Sequence, residues 1–226
     1  GVSYPLVRAQ DRNLTVTARY QHQDTQDEAD DLIYAAKAIH SVPLGARFDR
    51  RDTLGGGGVT FGTARLVPGR MIVDTGGRAD DSFLKGHLRL ARHQRMPGPW
   101  RLFGRLTVQT ADGELPSSET MTLGGVDGVR AYPQGEGTGS RGVRGRLEAR
   151  YRLDAFTPFG FFDAGHIAGL GNEDDRTLAG TGAGVRFSKG GWNAELVAAW
   201  KVRGGAPESD TKEYNPRLWV SVRRTF

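Results

Sequence analysis

The sequence predicts an all-β protein, an antiparallel transmembrane β-barrel of which about ten strands are present. Three features of the chain support this prediction. Apolar and polar residues alternate with a period of two, as they do in strands with one apolar and one polar face. The alternating segments are about ten residues long, which is the length that a tilted strand needs to cross a bilayer. Short and long connections alternate between them, as on the two rims of an up-and-down barrel.

The predicted strands follow one another along the whole chain. Seven segments alternate clearly, and their apolar faces begin at Leu14, Ala38, Leu84, Trp100, Val143, Trp192 and Leu218. Weaker strands are predicted near residues 57–67, 158–168 and 178–188. Pro43 interrupts the second segment, and because it lacks a backbone N–H it indicates a bulge or an edge. Residues 27–39 are the best helical candidate, although their acidic start suits a surface loop equally well.

The connections differ in length and polarity. Short ones are predicted at residues 96–99, 154–157 and 189–191, and long polar ones at residues 24–34, 111–140 and 204–215. A soluble β-sandwich also alternates in this way. It would not usually carry five charged residues on one face of one strand, as residues 144–152 do here, so the membrane barrel is favoured.

Composition excludes several classes of site. The chain has no cysteine, so disulfides and thiolate metal sites are ruled out, and its five histidines lack metal-ligand spacing. The chain has no run of about 18 apolar residues, so no membrane-spanning helix is predicted. A mean hydropathy of −0.49 fits a barrel, because polar residues face the lumen. The sequence predicts no catalytic triad, no cofactor and no enzymatic activity.

Two glycine-rich segments are interpreted as structural. Gly55–Gly58 lacks the lysine and hydroxyl residue of a phosphate-binding loop. Gly180, Gly182 and Gly184 alternate within a strand pattern and open no helix. Close packing or barrel curvature is therefore favoured over dinucleotide binding.

Charged residues recur at positions of the polar parity, which is the predicted pore lining. They are Lys85, Arg89, Arg105, Arg144, Arg146, Glu148, Arg150 and Arg152. The formal net charge of +5 is compatible with nucleic acid, anionic lipid or an acidic client. In a soluble protein the stripe would suit nucleic acid, but it has no aromatic platform for bases, so no nucleic-acid partner is expected. Inside a barrel it would attract an acidic, unfolded client.

One loop and one strand carry the most specific signal. Leu123-Gly-Gly-Val-Asp-Gly-Val-Arg-Ala-Tyr-Pro is a glycine-rich loop that presents Arg130 and Tyr132. About thirty residues later, Gly-Phe-Phe-Asp-Ala-Gly presents Asp163 between aromatic and small residues. Taken alone, these features are compatible with a solvated turn arginine and a structural aspartate.

The chain resembles the TpsB transporters of two-partner secretion, of the haemolysin-activator type, within the BamA-type outer-membrane superfamily. Residues 4–14, 100–133 and 141–165 carry the resemblance, which runs on to Phe226. It implies a non-enzymatic pore that lies in the lipid bilayer of the bacterial outer membrane and exports a secreted partner exoprotein. The terminal Phe226 matches the aromatic C-terminus common in such barrels.

The resemblance also implies how the chain is organised. Family members have two periplasmic POTRA domains and a sixteen-stranded barrel with an inward-folded sixth loop. Residues 1–226 would then be the C-terminal part of the barrel, with the motif loop at about 111–140. POTRA domains and about six strands would precede Gly1. Residues 14–23 and 216–226 are therefore not expected to pair as the ends of a closed ten-stranded barrel.

The resemblance assigns a latch to the motif loop, formed by Gly125, Gly128, Arg130, Tyr132 and Asp163. A bidentate Arg130–Asp163 pair would pin the loop to the wall. In a solvated lumen such a pair is worth about 0–1 kcal/mol, and more if dehydrated.

Two positions depart from the family pattern. Ala131 replaces the usual glycine of the loop motif and would cost about 1 kcal/mol at a positive φ. Ser140 stands where relatives often have an acidic residue. Two other functions stay open: an assembly factor of the BamA type and a passive porin.

Overall fold

The computed structural model describes residues 1–29, 32–74, 78–169 and 175–225. Apart from two short 3-10 turns, at Leu54–Gly56 and Ser117–Glu119, its regular elements are all strands, as the sequence predicts. The strands are β1 Val2–Arg8, β2 Arg12–Ala18, β3 Gln21–Ala29, β4 Leu32–Ser41, β5 Leu44–Asp52, β6 Gly58–Asp74, β7 Arg78–Arg95, β8 Trp100–Ala111, β9 Met121–Thr122, β10 Thr138–Gly139, β11 Arg141–Tyr151, β12 Phe156–Ala168, β13 Arg176–Lys189, β14 Trp192–Arg203 and β15 Arg217–Arg224. The described residues contain no helix long and apolar enough to cross a bilayer.

Thirteen of the strands form one antiparallel sheet in which most strands pair with their nearest neighbours along the chain. Its order is β1-β2-β5-β6-β7-β8-β11-β12-β13-β14-β15, while β3 pairs with β4 and β4 also pairs with β6. Within the described residues the end strand β15 pairs only with β14 and the other end strand, β1, only with β2, while β2 pairs only with β1 and β5. The sheet is therefore open, and the prediction that its two ends do not close on each other is confirmed.

The two faces of the sheet differ in chemistry. The outer face carries large apolar residues that are exposed, among them Leu66, Leu88, Leu106, Leu147, Leu196 and Val220. The inner face carries charged residues, and Arg105, Arg146 and Asp163 lie on it directly opposite one another on β8, β11 and β12. Phe162 is 45% exposed on the outer face whereas Asp163 is fully buried, so the predicted register of β12 is confirmed.

The connections separate onto two rims. The short-turn rim has the links at residues 9–11, 53–57, 96–99, 152–155 and 190–191. The loop rim has the long segments at residues 112–140 and 204–216. In outer-membrane barrels the short turns face the periplasm and the long loops face outward.

The region around residues 24–41 differs from the sequence prediction. The helical candidate at 27–39 does not form, and the predicted long loop at 24–34 is wrong, because β3 and β4 form a hairpin there. Strand β4 also pairs with β6, from Ala36 opposite Asp74 to Ser41 opposite Gly69. The β4–β6 ladder supplies backbone hydrogen bonds that stabilise β4, although the sequence of this segment does not by itself predict a strand.

The sheet has thirteen strands where about ten were predicted. The chain leaves the β conformation at residues 19–20 and again at residues 42–43. The first break separates β2 from an additional strand, β3, and the second divides the predicted strand that begins at Ala38 between β4 and β5. Pro43 marks the second break, as predicted. Strand β1 was missed because Pro5 interrupts its short apolar run, and its ladder with β2 shifts register between Pro5 and Val7. Phe226, predicted as a membrane signature, lies outside the described residues.

Candidate functional site

The segment between β8 and β11, residues 112–140, folds back onto the inner face of the sheet, and we call it the motif loop. Its apolar residues Leu123, Val129 and Tyr132 are fully buried. They pack in one cluster with Phe161 of β12 and Leu178 of β13. Because the loop shares a core with the strands, it is part of the folded wall.

Glycines shape the tip of the motif loop. Gly125 has a φ of +101°, a backbone conformation that other residues rarely adopt. At Gly128 a side chain would overlap the carbonyl oxygen of Leu123. That carbonyl accepts a hydrogen bond from the Val129 N–H at 2.7 Å, so the close approach is what closes the tip.

Arg130 stands at the centre of the site and is 1% exposed. Its Nε and Nη2 donate to the two carboxylate oxygens of Asp163 at 2.7 and 2.9 Å, and its backbone N–H donates to Oδ2 at 3.2 Å. Its Nη1 donates to Glu148 Oε1 at 2.8 Å. The predicted approach of Arg130 to Asp163 is confirmed, and it has the bidentate geometry of the strongest carboxylate pairs.

The two carboxylates are shared with further arginines of the wall. Asp163 Oδ1 accepts from Arg146 Nε at 3.2 Å, and Glu148 Oε2 accepts from Arg150 Nε at 2.8 Å. Arg186 approaches Glu148 at 3.2 Å. Sequence reasoning assigned Glu148 to the pore lining and missed its contact with Arg130, because the two residues are joined by no local motif.

Burial changes the expected energy of the latch. The value of about 0–1 kcal/mol assumed a solvated pair, but the side chains of Arg130, Glu148 and Asp163 are each 1% exposed. Removing one member of a buried ion pair leaves an uncompensated charge and costs about 3–5 kcal/mol. The anchor is therefore a major structural contact of the loop.

Aromatic rings and glycines form the floor beneath Arg130. The guanidinium carbon lies 3.5 Å from the ring centroid of Phe161, a cation–π contact. The ring occupies space that a side chain at Gly182 would fill, since a Cβ there would lie 2.5 Å from Phe161 Cζ. Gly184 leaves the same space for Phe159. The interpretation of this glycine stripe as a close-packing feature is confirmed.

Ala131 fits its position without strain. Among the described residues only Asp154 combines a side chain with a positive φ, so the expected cost at Ala131 is wrong. Its methyl group lies against Gly180, where a Cβ would come within 2.6 Å. The glycine on the strand makes room for the alanine on the loop.

Tyr132 joins the motif loop to the β14–β15 connection. Its hydroxyl lies 2.9 Å from the Arg203 carbonyl oxygen and 3.1 Å from that of Gly205. Burial raises the pKa of Tyr132 above its ordinary value. Nearby, Trp219 Nε1 donates to the Arg130 carbonyl oxygen at 2.8 Å. The last hairpin of the chain therefore holds the same loop that Asp163 holds.

Glu136 forms a second buried anchor, which the sequence did not reveal. Its carboxylate is fully buried and accepts from Arg176 Nη2 at 2.6 Å. It also accepts from the backbone N–H groups of Glu208 and Ser209 at 3.0 and 2.9 Å and from the Ser209 hydroxyl at 2.8 Å. Burial opposes ionisation, but the hydrogen bonds from Ser209, Arg176 and Glu208 outweigh it and lower the pKa of Glu136.

Replacing Glu136 with glutamine is expected to loosen residues 204–216 while the sheet stays intact. The amide would present N–H groups to N–H donors and lose the ion pair with Arg176, a cost of about 1–3 kcal/mol. Hydrogen exchange of the full-length protein should show faster exchange at Glu208 and Ser209. Glu114→Gln, at an exposed site of the same loop, is the control and should change nothing. Unchanged exchange in both variants would contradict the anchor.

The eight charged residues predicted as pore lining lie on the inner face. Five of them contact the motif loop. Lys85 is paired with Glu119. Arg105 Nη2 donates to the Asp127 carbonyl oxygen at 2.5 Å, and Arg144 Nη1 donates to that of Thr122 at 2.8 Å. Arg146 also contacts the loop, through the carbonyl oxygens of Val126 and Gly128. Glu148 and Arg150 belong to the Arg130 network, as described above. Arg89 and Arg152 line open cavities of the same face.

The sheet is open, its outer face is apolar, and a loop is pinned across its charged inner face. These features define a wall segment of an outer-membrane β-barrel. The family model described as haemolysin secretion/activation protein ShlB/FhaC/HecB matches residues 1–187, and the chain belongs to that family. The resemblance to TpsB transporters is thereby confirmed. These proteins are outer-membrane barrels of Gram-negative bacteria, so the outer membrane is where the chain resides.

Known relatives are distant but cover the chain from end to end. The heme/hemopexin transporter protein HuxB of Haemophilus influenzae strain 86-028NP is 24% identical over 99% of the chain. The solved structure of CdiB from Escherichia coli superposes on 98% of the chain with a TM-score of 0.75 and 19% identity. CdiB from Acinetobacter baumannii gives a TM-score of 0.52 at 14% identity. The chain spans 43% of the length of HuxB and of the first CdiB.

Proposed function

We propose that the protein is an outer-membrane pore that translocates a partner exoprotein to the cell surface in two-partner secretion. Residues 1–226 would form the C-terminal part of its translocation domain, with the motif loop inside the lumen. One observation carries the proposal: Arg130 is buried in a double carboxylate site that holds the loop across a charged inner face. A static barrel wall has no need of such a device.

The proposed mechanism requires no chemistry. An extended client passes along the inner face, where charged side chains replace its hydration. The motif loop rearranges to let the client pass, and folding of the client outside the cell supplies the drive. The network around Arg130 offers a defined closed state for the loop, because releasing it means breaking four hydrogen bonds to two carboxylates at once.

The proposal is tested in cells that lack the full-length protein. Expression of the wild type should restore the partner exoprotein to the medium, without changing the amounts of other outer-membrane barrels. Loss of those barrels in the deletion strain would favour the assembly factor instead. The passive porin would be favoured if the exoprotein reached the medium equally well without the protein. Because the relative HuxB is a heme/hemopexin transporter, a haem-related exoprotein is the first client to try.

A further inference from the structure

A second site lies on the inner face at the short-turn rim, away from the motif-loop tip. It is a cavity of about 770 Å³. Its arginines come from five strands and one turn: Arg51, Arg95, Arg101, Arg150, Arg152 and Arg186. The one carboxylate in its lining, Asp52, is already bound by both Nη atoms of Arg92 at 2.8 Å. We call this the arginine cavity.

The arginines of the cavity are placed against one another. Arg95 of β7 lies directly opposite Arg101 of β8, and Arg101 lies directly opposite Arg150 of β11. Like charges at directly opposed positions destabilise a sheet. A run of three such residues is therefore a cost that packing does not explain.

Few of these charges are neutralised within the chain. Glu148 pairs with Arg150 and Arg186. Arg51, Arg95, Arg101 and Arg152 have no carboxylate within ion-pair distance in the part of the chain that the structure describes. Arg101 instead donates to the carbonyl oxygens of Gly98 and Trp100. The cavity thus keeps four guanidinium groups available for an external anion.

We propose that the arginine cavity binds acidic segments of the exported polypeptide as they enter the pore. The proposal rests on the proposed function and specifies the chemistry of the client. Guanidinium groups bind carboxylates in a bidentate manner, and a positively lined cleft raises the local concentration of an acidic chain. The short-turn rim is the periplasmic side, where a client arrives. Partly exposed pairs worth about 0–1 kcal/mol each suit a segment that must move on.

The test uses the full-length protein in planar bilayers, with a short poly-glutamate peptide as the probe. The test variant is Arg51→Gln, Arg95→Gln and Arg152→Gln together. The matched control is Arg12→Gln, Arg50→Gln and Lys189→Gln, which removes the same charge from the same rim. These three control residues are exposed, and they lie on the outer face. Peptide is added to each side of the bilayer in turn, with poly-glutamine and inorganic phosphate as comparison solutes.

Poly-glutamate is expected to block the current of the wild type from one side, and poly-glutamine is not. The test variant should need about tenfold more peptide for half block, and the control variant the same amount as the wild type. Equal block in the test variant would overturn the proposal. A block by inorganic phosphate at the same concentration would overturn it too, since the site would then select any anion.

The outcome is separable from that of the proposed function. Export of the exoprotein by wild-type cells, combined with no poly-glutamate block, would contradict the arginine cavity alone. Arginine-dependent block by a protein that exports nothing would contradict the proposed function and leave the anionic site in place.

Discussion

Arg130→Ala is expected to abolish export of the exoprotein and to destabilise the folded barrel by about 3 kcal/mol. The lower end of the range for breaking a buried pair applies, because Arg146 still contacts Asp163 and Arg150 still contacts Glu148. The barrel should nevertheless insert, since its strand ladders do not involve this side chain. Export is followed in cells, and the midpoint of urea unfolding is measured on the purified full-length protein.

A charge-conserving variant separates charge from geometry at this site, and an arginine of the outer face serves as its control. Arg130→Lys keeps the positive charge but loses the fork that binds Asp163 bidentately, so export should remain far below that of the wild type. Arg12→Ala removes an exposed arginine of the outer face and should be silent. Normal export in both Arg130→Ala and Asp163→Ala would refute the latch.

Gly128→Ala is expected to open the tip of the motif loop. The added methyl would overlap the Leu123 carbonyl oxygen, which is backbone and cannot turn aside. Relief requires breaking the hydrogen bond from the Val129 N–H to that oxygen, at a cost of about 1–3 kcal/mol or more. The tip next to Arg130 would then shift away from the wall, while the anchors at Arg130 and Glu136 still hold the rest of the loop.

The effect of Gly128→Ala is measured as ion conductance and as cleavage of the loop by added protease, both of which should rise. Gly113→Ala is the matched control in the same loop, because a Cβ there meets nothing within 4 Å. Wild-type conductance and wild-type cleavage in Gly128→Ala would show that the tip tolerates a side chain and that its closure is not held by this contact.

The strands and their faces were predictable because alternation is a local property. The parity of Asp163 follows from its neighbours Phe162 and Ala164, and the structure has the same register. The partnership of Arg130 with Asp163 came from the pairing of two motifs, and the geometry agrees. The hairpin of β3 and β4 was missed because residues 24–31 are mostly polar and acidic and do not alternate, and because β4 also pairs with β6, some thirty residues further along the chain.

The rest of the site could not be predicted because its contacts join distant segments. Glu136 is one acid among glycines in a polar loop, and its partners lie 40 to 73 residues away. Nothing local distinguishes it from the exposed Glu114. Glu148 alternates onto the inner face of its strand, which would suit an ordinary pore-lining residue as well as a partner of Arg130. Its contact with Arg130 forms only when the motif loop folds onto the sheet.

The central claim is that the inner face of this sheet is the path of the exported polypeptide. Photo-cross-linking during export tests it most directly. A photoreactive residue is placed at Phe103, on the inner face, and in a separate variant at Leu102, one residue away on the outer face, 40% exposed. We expect cross-links from position 103 to the exoprotein and none from position 102. Cross-links from 102 alone, or from neither position while export proceeds, would contradict it.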